Sequence, residues 1–153
     1  MEQSIAIPKT VSINKLSLVN IGKNINYRPR VVIIGCGSAY YCGLTAKYFL
    51  SQVGIESQVF GAYEFLPFAH FCNNQTTCLV ISQSGETADT LIATKIAKSK
   101  GAGIVAVVNT QGSTLENLSD ITLNVNAGPE IAVVSTKAFT SQLSTLYLLA
   151  QTI

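Results

Sequence analysis

From Ile81 to Thr90 the chain reads ISQSGETADT, four hydroxyl side chains (Ser82, Ser84, Thr87, Thr90), one amide (Gln83) and two acids (Glu86, Asp89), directly after the apolar run CLVI. An apolar run of that kind is a strand. Gly85 permits a tight turn, and Glu86, Thr87 and Asp89 fall in the first turn of a following helix. Free backbone N–H groups and the positive end of the helix dipole lie there. Such an end binds anions, and Ser and Thr hydroxyls add hydrogen bonds without adding charge. A single N-cap hydroxyl, worth about 1 kcal/mol, would serve the helix alone. Three hydroxyls, Ser82, Ser84 and Thr87, exceed that need, so the loop is expected to cradle a phosphate or similar anion. An acid beside such an anion is unexpected, and Glu86 is expected to face away or to reach back as a capping-box partner.

A second loop of the same kind, GCGSAYYCG, spans Gly35 to Gly43. It fails the dinucleotide fingerprint G-x-G-x-x-G, because Tyr40 holds the third glycine position and no acid stands at the tip of the next strand, SQVF. No G-K-[ST] follows any strand, which excludes a Walker-type loop. Ser38 remains a donor for a ligand at this strand end. Cys36 has no histidine nearby in sequence and is expected to be a packed small side chain. The four cysteines, Cys36, Cys42, Cys72 and Cys78, never form C-x-x-C, and a single histidine, His70, could join them. No metal or organic cofactor is expected, and the thiols are expected to be reduced. The first residues, MEQSIAIPKT, contain no apolar signal core, and no apolar run approaches the roughly 18 residues of a membrane helix. The expected location is the cytoplasm.

These loops require a scaffold that delivers them to one place. Short apolar runs rich in β-branched residues alternate with helical segments along the chain. VVII (31–34) precedes LTAKYFLSQV, SQVF (57–60) follows, CLVI precedes DTLIATKIAKS, GIVAVV (103–108) comes next, and ITLNV (121–125) precedes the tail TKAFTSQLSTLYLLA. Strands apolar throughout are buried on both faces, with helices as covers. The expectation is an α/β fold: a doubly wound, mostly parallel five-stranded sheet flanked by helices in three layers, as in flavodoxin. Ligands bind such sheets beyond the carboxyl ends of the strands.

The 153 residues, 48% hydrophobic and 12% charged, suit one core-rich domain. A net charge of +2 gives no argument for a nucleic-acid or membrane partner. Lys9, Lys15, Lys23, Arg28 and Arg30 gather early and read as a solvated entry segment. Residues 1–30, interrupted by Pro8 and Pro29, are expected to be a leader or linker, and 31–153 the globular domain. The tail TKAFTSQLSTLYLLA carries many apolar residues for one buried face, which suggests self-association.

ISQSGETADT, GCGSAYYCGL and GPEIAVVSTKAFTSQL together resemble the first sugar-isomerase (SIS) domain of the glucosamine-6-phosphate synthase family, over about Val31 to the C-terminus. The S-Q-S-G-E-T run is widespread in sugar-isomerase domains, and joined to E-I-x-V-x-S-T-K-A-F it points to this family. The resemblance implies binding of a phosphorylated hexose, fructose 6-phosphate or glucosamine 6-phosphate. The family converts fructose 6-phosphate and glutamine to glucosamine 6-phosphate and glutamate. Its members join a glutaminase domain, which opens on a cysteine after the initiator methionine, to two sugar-isomerase domains. Here Glu2 follows Met1 and one sugar-isomerase unit is present, so the chain is expected to be a piece of such an enzyme, with those domains as partners in a homodimer.

By the same resemblance Ser82, Ser84 and Thr87 form the phosphate cradle and Gln83 reaches toward the sugar. Ser38 stands where a threonine contacts the sugar, and Val133 and Ser135 line the sugar site, with Thr136 and Lys137 following. Ala39 replaces a serine that also touches the phosphate. Lys137 could be read as a Schiff-base lysine. The family's imine lysine, proton-transferring glutamate and ring-opening histidine, however, lie in or after the second sugar-isomerase domain. The chain by itself is therefore expected to hold no catalytic residue and to be inactive. Two other readings remain open: a non-catalytic sugar-phosphate sensor, and a stand-alone phosphosugar isomerase drawing on Glu86, Glu130 or His70.

Overall fold

The computed structural model describes residues 15–128 and 136–153. Five strands, β1 (Arg30–Gly35), β2 (Ser57–Gly61), β3 (Thr76–Ser82), β4 (Gly103–Val108) and β5 (Ile121–Asn124), form one sheet in the order β2-β1-β3-β4-β5. Every neighbouring pair is parallel. Five α-helices accompany it: α1 (Lys15–Tyr27), α2 (Ser38–Gln52), α3 (Ala88–Ser99), α4 (Thr114–Leu118) and α5 (Thr136–Thr152). Two 3-10 turns, Ala62–Glu64 and Leu66–Phe71, connect β2 to β3. The five expected strands are all present, and the fold class is the expected one.

Burial explains why the central strands β1, β3 and β4 read as nearly uninterrupted apolar runs. All residues of β3 and β4 are buried, and alternate side chains serve opposite faces. Val31 and Ile33 of β1, with Leu79, Ile81, Val105 and Val107, pack against α1, α2 and α5. Val32 and Ile34, with Cys78, Val80, Ile104 and Ala106, pack against α3, α4 and the 3-10 turns. The two clusters are the interfaces of a three-layer sandwich.

Of the expected leader or linker 1–30, residues 1–14 lie outside the described residues, and the part from Lys15 to Tyr27 is helical. Residues 15–27 form α1, and its Leu18, Ile21 and Ile25 are buried in the same cluster as β1 and α5. Thr77 of β3 donates to Asn24 Oδ1 and to the Arg28 carbonyl, each at 3.1 Å, which fixes the end of the helix to the sheet. The packed unit therefore begins before Val31. The spacing of Leu18, Ile21 and Ile25 is helical, but Asn20, Gly22, Asn24 and Asn26 dilute it to a pattern that needs the tertiary contact.

The apolar tail is mostly accounted for within the chain. Ala138, Leu146, Leu149 and Ala150 of α5 are buried, and Phe139 and Leu143 pack against the same cluster. Tyr147 and Leu148 remain exposed, Tyr147 lying edge-on to Phe49 with ring centroids 5.4 Å apart. All four cysteines are free thiols, and burial pushes that of Cys42 up to about 12. No helix among the described residues is long and apolar enough to cross a membrane.

If α1 is integral, Ile21→Ala, at a side chain with no exposure, should cost about 2–5 kcal/mol of unfolding free energy. Urea denaturation checks this, and an unchanged midpoint would return α1 to the role of a docked leader.

Candidate functional site

The strand order makes the crevice. From β1 the chain moves outward to β2, then returns to pair β3 on the other side of β1, so the sheet reverses direction between β1 and β3. In open parallel sheets ligands bind at such a reversal, beyond the carboxyl ends of the strands. Gly35 of β1 is level with Ile81 of β3. The loop entering α2 and the loop entering α3 therefore leave the sheet side by side, and Ser38, Ser82, Gln83, Ser84 and Thr87 share one end of the molecule.

The close approach of β1 to α2 depends on glycine: a Cβ at Gly35 would lie 2.8 Å from the Ala39 carbonyl carbon. Gly37, with φ of 55°, turns the chain so that α2 starts at the exposed Ser38. Ala39 is buried, and Cys36 is partly buried beside it.

In the second loop Ser82 ends β3 with 3% exposure, and its Oγ accepts from the Gly85 N–H at 3.0 Å. Ser84 Oγ accepts from the Glu86 N–H at 3.2 Å. Each hydroxyl thus uses its oxygen to hold the loop and keeps its own proton to donate. Thr87 occupies the N-cap of α3 but makes no capping bond with its side chain. The first N–H groups of α3 and the Thr87 hydroxyl are available together, which is the arrangement an anion needs. The capping alternative therefore fails for Thr87.

Glu86 is not a capping-box partner of α3 but reaches away to α4. Its Oε1 accepts from the Thr114 N–H at 2.7 Å, joining the loop to the first residue of α4. That backbone bond holds its carboxyl below the usual glutamate range. A variant of that cap belongs to α4 instead: the N-cap Ser113 Oγ accepts from Glu116 N–H, and Glu116 Oε2 accepts from the N–H of Gly112, one residue before the N-cap, at 2.6 Å. The reason is distance in sequence, since Thr114 arrives only when β4 pairs with β3.

Asn109, which the sequence reading passed over, links the parts. Its N–H donates to the Gln83 carbonyl at 3.1 Å, its Oδ1 accepts from Ala127 N–H at 2.7 Å, and its Nδ2 donates to the Gly128 carbonyl at 2.8 Å. This one residue, through its backbone N–H on one side and its side-chain amide on the other, thereby sets the β3–α3 loop against the segment that follows β5. An amide directly after an apolar strand was the available signal. Val133, Ser135 and Glu130 lie outside the described residues. Lys137 stands in the first turn of α5. His70 is exposed on the turn before β3, its ring 4.0 Å from that of Phe71, and Phe71 is tied to Arg30 at the start of β1. It belongs to the far end of the sheet from the loops.

The SIS domain family description matches residues 25–152. This chain belongs to the SIS domain family. Among its relatives, the glutamine–fructose-6-phosphate aminotransferase (isomerizing) of Thermotoga maritima is 46% identical over 121 residues, covering 78% of this chain and 20% of that protein. The chain thus spans about a fifth of that relative's length. The C-terminal domain of glucosamine-fructose-6-phosphate aminotransferase from Francisella tularensis superposes with a TM-score of 0.75 at 32% identity, covering 92% of this chain and 40% of that one. The NanR protein of Vibrio vulnificus, solved with ManNAc-6P, shares the fold at a TM-score of 0.83 and 17% identity, covering 98% of this chain and 58% of that one. The family match begins at Ile25, within α1.

The SIS-domain loop is intolerant at Gly85. Its φ is 69°, and an added Cβ would overlap the Ser113 side chain. Gly85→Ala should destabilise the fold by at least about 1–2 kcal/mol from backbone strain alone. Thermal melting of the two proteins checks this, and an unchanged melting temperature would contradict the described turn.

Proposed function

We propose that this SIS domain binds a phosphorylated hexose, fructose 6-phosphate or glucosamine 6-phosphate, as part of the isomerase half of a glutamine–fructose-6-phosphate aminotransferase. The observation that carries the reading is the Ser82–Thr87 loop. Three hydroxyls surround the N-terminus of α3, Ser82 and Ser84 with their oxygens already engaged by backbone N–H groups and Thr87 free of any capping bond. In this reading their protons, with the first N–H groups of the helix, donate to the phosphate. In this reading Gln83 and Ser38 meet the sugar, and Val133 and Ser135 complete its surroundings from the segment before α5. The names of the relatives support the substrate class. A second sugar-isomerase domain, a glutaminase domain and a homodimeric partner belong to the same proposal.

Chemistry is a separate matter from binding. Ketose-to-aldose conversion needs a base placed to move a proton between adjacent carbons. Glu86 is engaged by Thr114, and His70 lies at the other end of the sheet. The loops supply hydroxyls, an amide and N–H donors, which position and neutralise a substrate without abstracting its proton.

Calorimetry with fructose 6-phosphate tests the binding. Ser84→Ala removes a bond to a charged oxygen, so affinity should fall roughly ten- to a hundredfold. Unchanged affinity with the fold intact would remove Ser84 from the cradle. The chain incubated with fructose 6-phosphate, with and without ammonium, should form neither glucose 6-phosphate nor glucosamine 6-phosphate catalytically. Turnover abolished by Glu86→Gln, Glu130→Gln or His70→Asn would replace the proposal with a stand-alone isomerase.

A further inference from the structure

The opposite end of the sheet holds a cavity of about 410 Å³ that the sugar-phosphate reading does not use. Its volume is within the roughly 300–1,000 Å³ of small-molecule sites. It lies at the amino ends of β1 and β2, and its walls include Arg30, Glu56, Gln58, Phe71 and Gln75. Val31 is level with Ser57, so Arg30 and Glu56 stand one step earlier on neighbouring chains. Neighbouring strands are separated by about 4.8 Å.

Two opposite charges at this spacing would ordinarily pair, yet no ion pair joins them among the described residues. Arg30 NH1 instead donates to the Phe71 carbonyl at 2.8 Å. That bond anchors one corner of the guanidinium and leaves its remaining donors for a planar anion. Glu56 is exposed and accepts no hydrogen bond from a described residue. Gln58 and Gln75 add neutral amides, and the half-exposed Phe71 ring provides an apolar wall.

The geometry points to a second ligand site, for a small zwitterion of the α-amino-acid class: its carboxylate on Arg30, its ammonium on Glu56 and an apolar side chain against Phe71. A hexose phosphate suits it poorly, because the Glu56 carboxylate faces any dianion held by Arg30. The site is independent of the loops at the other end of the sheet.

The test is amide chemical-shift titration of the chain with L-phenylalanine, compared with 3-phenylpropionate, which lacks the ammonium, and phenethylamine, which lacks the carboxylate. Phenylalanine should produce saturable shifts at residues 30–31, 56–58, 71 and 75, with each half-analogue weaker by roughly tenfold or more. Glu56→Gln should reduce phenylalanine to the affinity of 3-phenylpropionate and leave 3-phenylpropionate binding no weaker. Arg30→Gln should weaken both acids. Since Arg30 also tethers Phe71, Glu56→Gln decides if that variant unfolds. Equal affinity for phenylalanine and 3-phenylpropionate, shifts confined to 82–87, or no saturable shift at millimolar ligand would each overturn the assignment.

Discussion

The pairing of β1 with β3 is the constraint on which the rest depends. It joins strands separated by α2, β2 and two 3-10 turns, and it reverses the direction in which the sheet grows. Parallel pairing requires crossovers, so both strands must leave the sheet at the same end before their helices turn back. Two loops from distant parts of the sequence thereby become neighbours. The strands can be apolar throughout because helices cover both faces, and this leaves the polar residues of each segment at the loops.

Within the β3–α3 loop the local interactions prepare the side chains. Backbone N–H groups of Gly85 and Glu86 donate to the oxygens of Ser82 and Ser84, which fixes the positions of both hydroxyls within the turn and leaves their protons to donate elsewhere. Glu86 then binds α4, and Asn109 binds Gln83 on one side and the chain after β5 on the other. The loop is held from both directions before any ligand arrives. Ordering costs that a flexible loop would meet on binding are met during folding instead. The same ties explain why an acid can stand inside a hydroxyl-rich loop at a helix start: its carboxylate is directed to the start of a different helix.

The two ends of the sheet differ in chemical character for a related reason. At the carboxyl end, helix starts and hydroxyls favour a concentrated negative charge. At the amino end, Arg30 and Glu56, of opposite sign, stand at the starts of neighbouring strands with no helix start beside them.

Local sequence determined the parts of this protein that depend on local physics. Apolar, largely β-branched runs specified the three central strands β1, β3 and β4, because a strand buried on both faces has no polar side to interrupt it, while the edge strands β2 and β5, partly exposed, carried shorter runs that include Gln58 and Asn124. The hydroxyl-rich loops were legible at Ser38 and at Ser82 to Thr87 because a glycine turn between strand and helix is a short-range signal. Tertiary structure decided what depended on partners far along the chain. α1 has a diluted apolar stripe that becomes a helix face only against β1 and α5, so residues 15–27 read as linker. The partner of Glu86 lies 28 residues away and comes into reach through β3–β4 pairing. Asn109 reaches Gln83 through the same pairing, and the Thr87 side chain makes no capping bond although its type and position suggest one. Hydrogen bonds are satisfied by whichever group is nearest in space, and nearness across a parallel sheet is not written in any single stretch of residues.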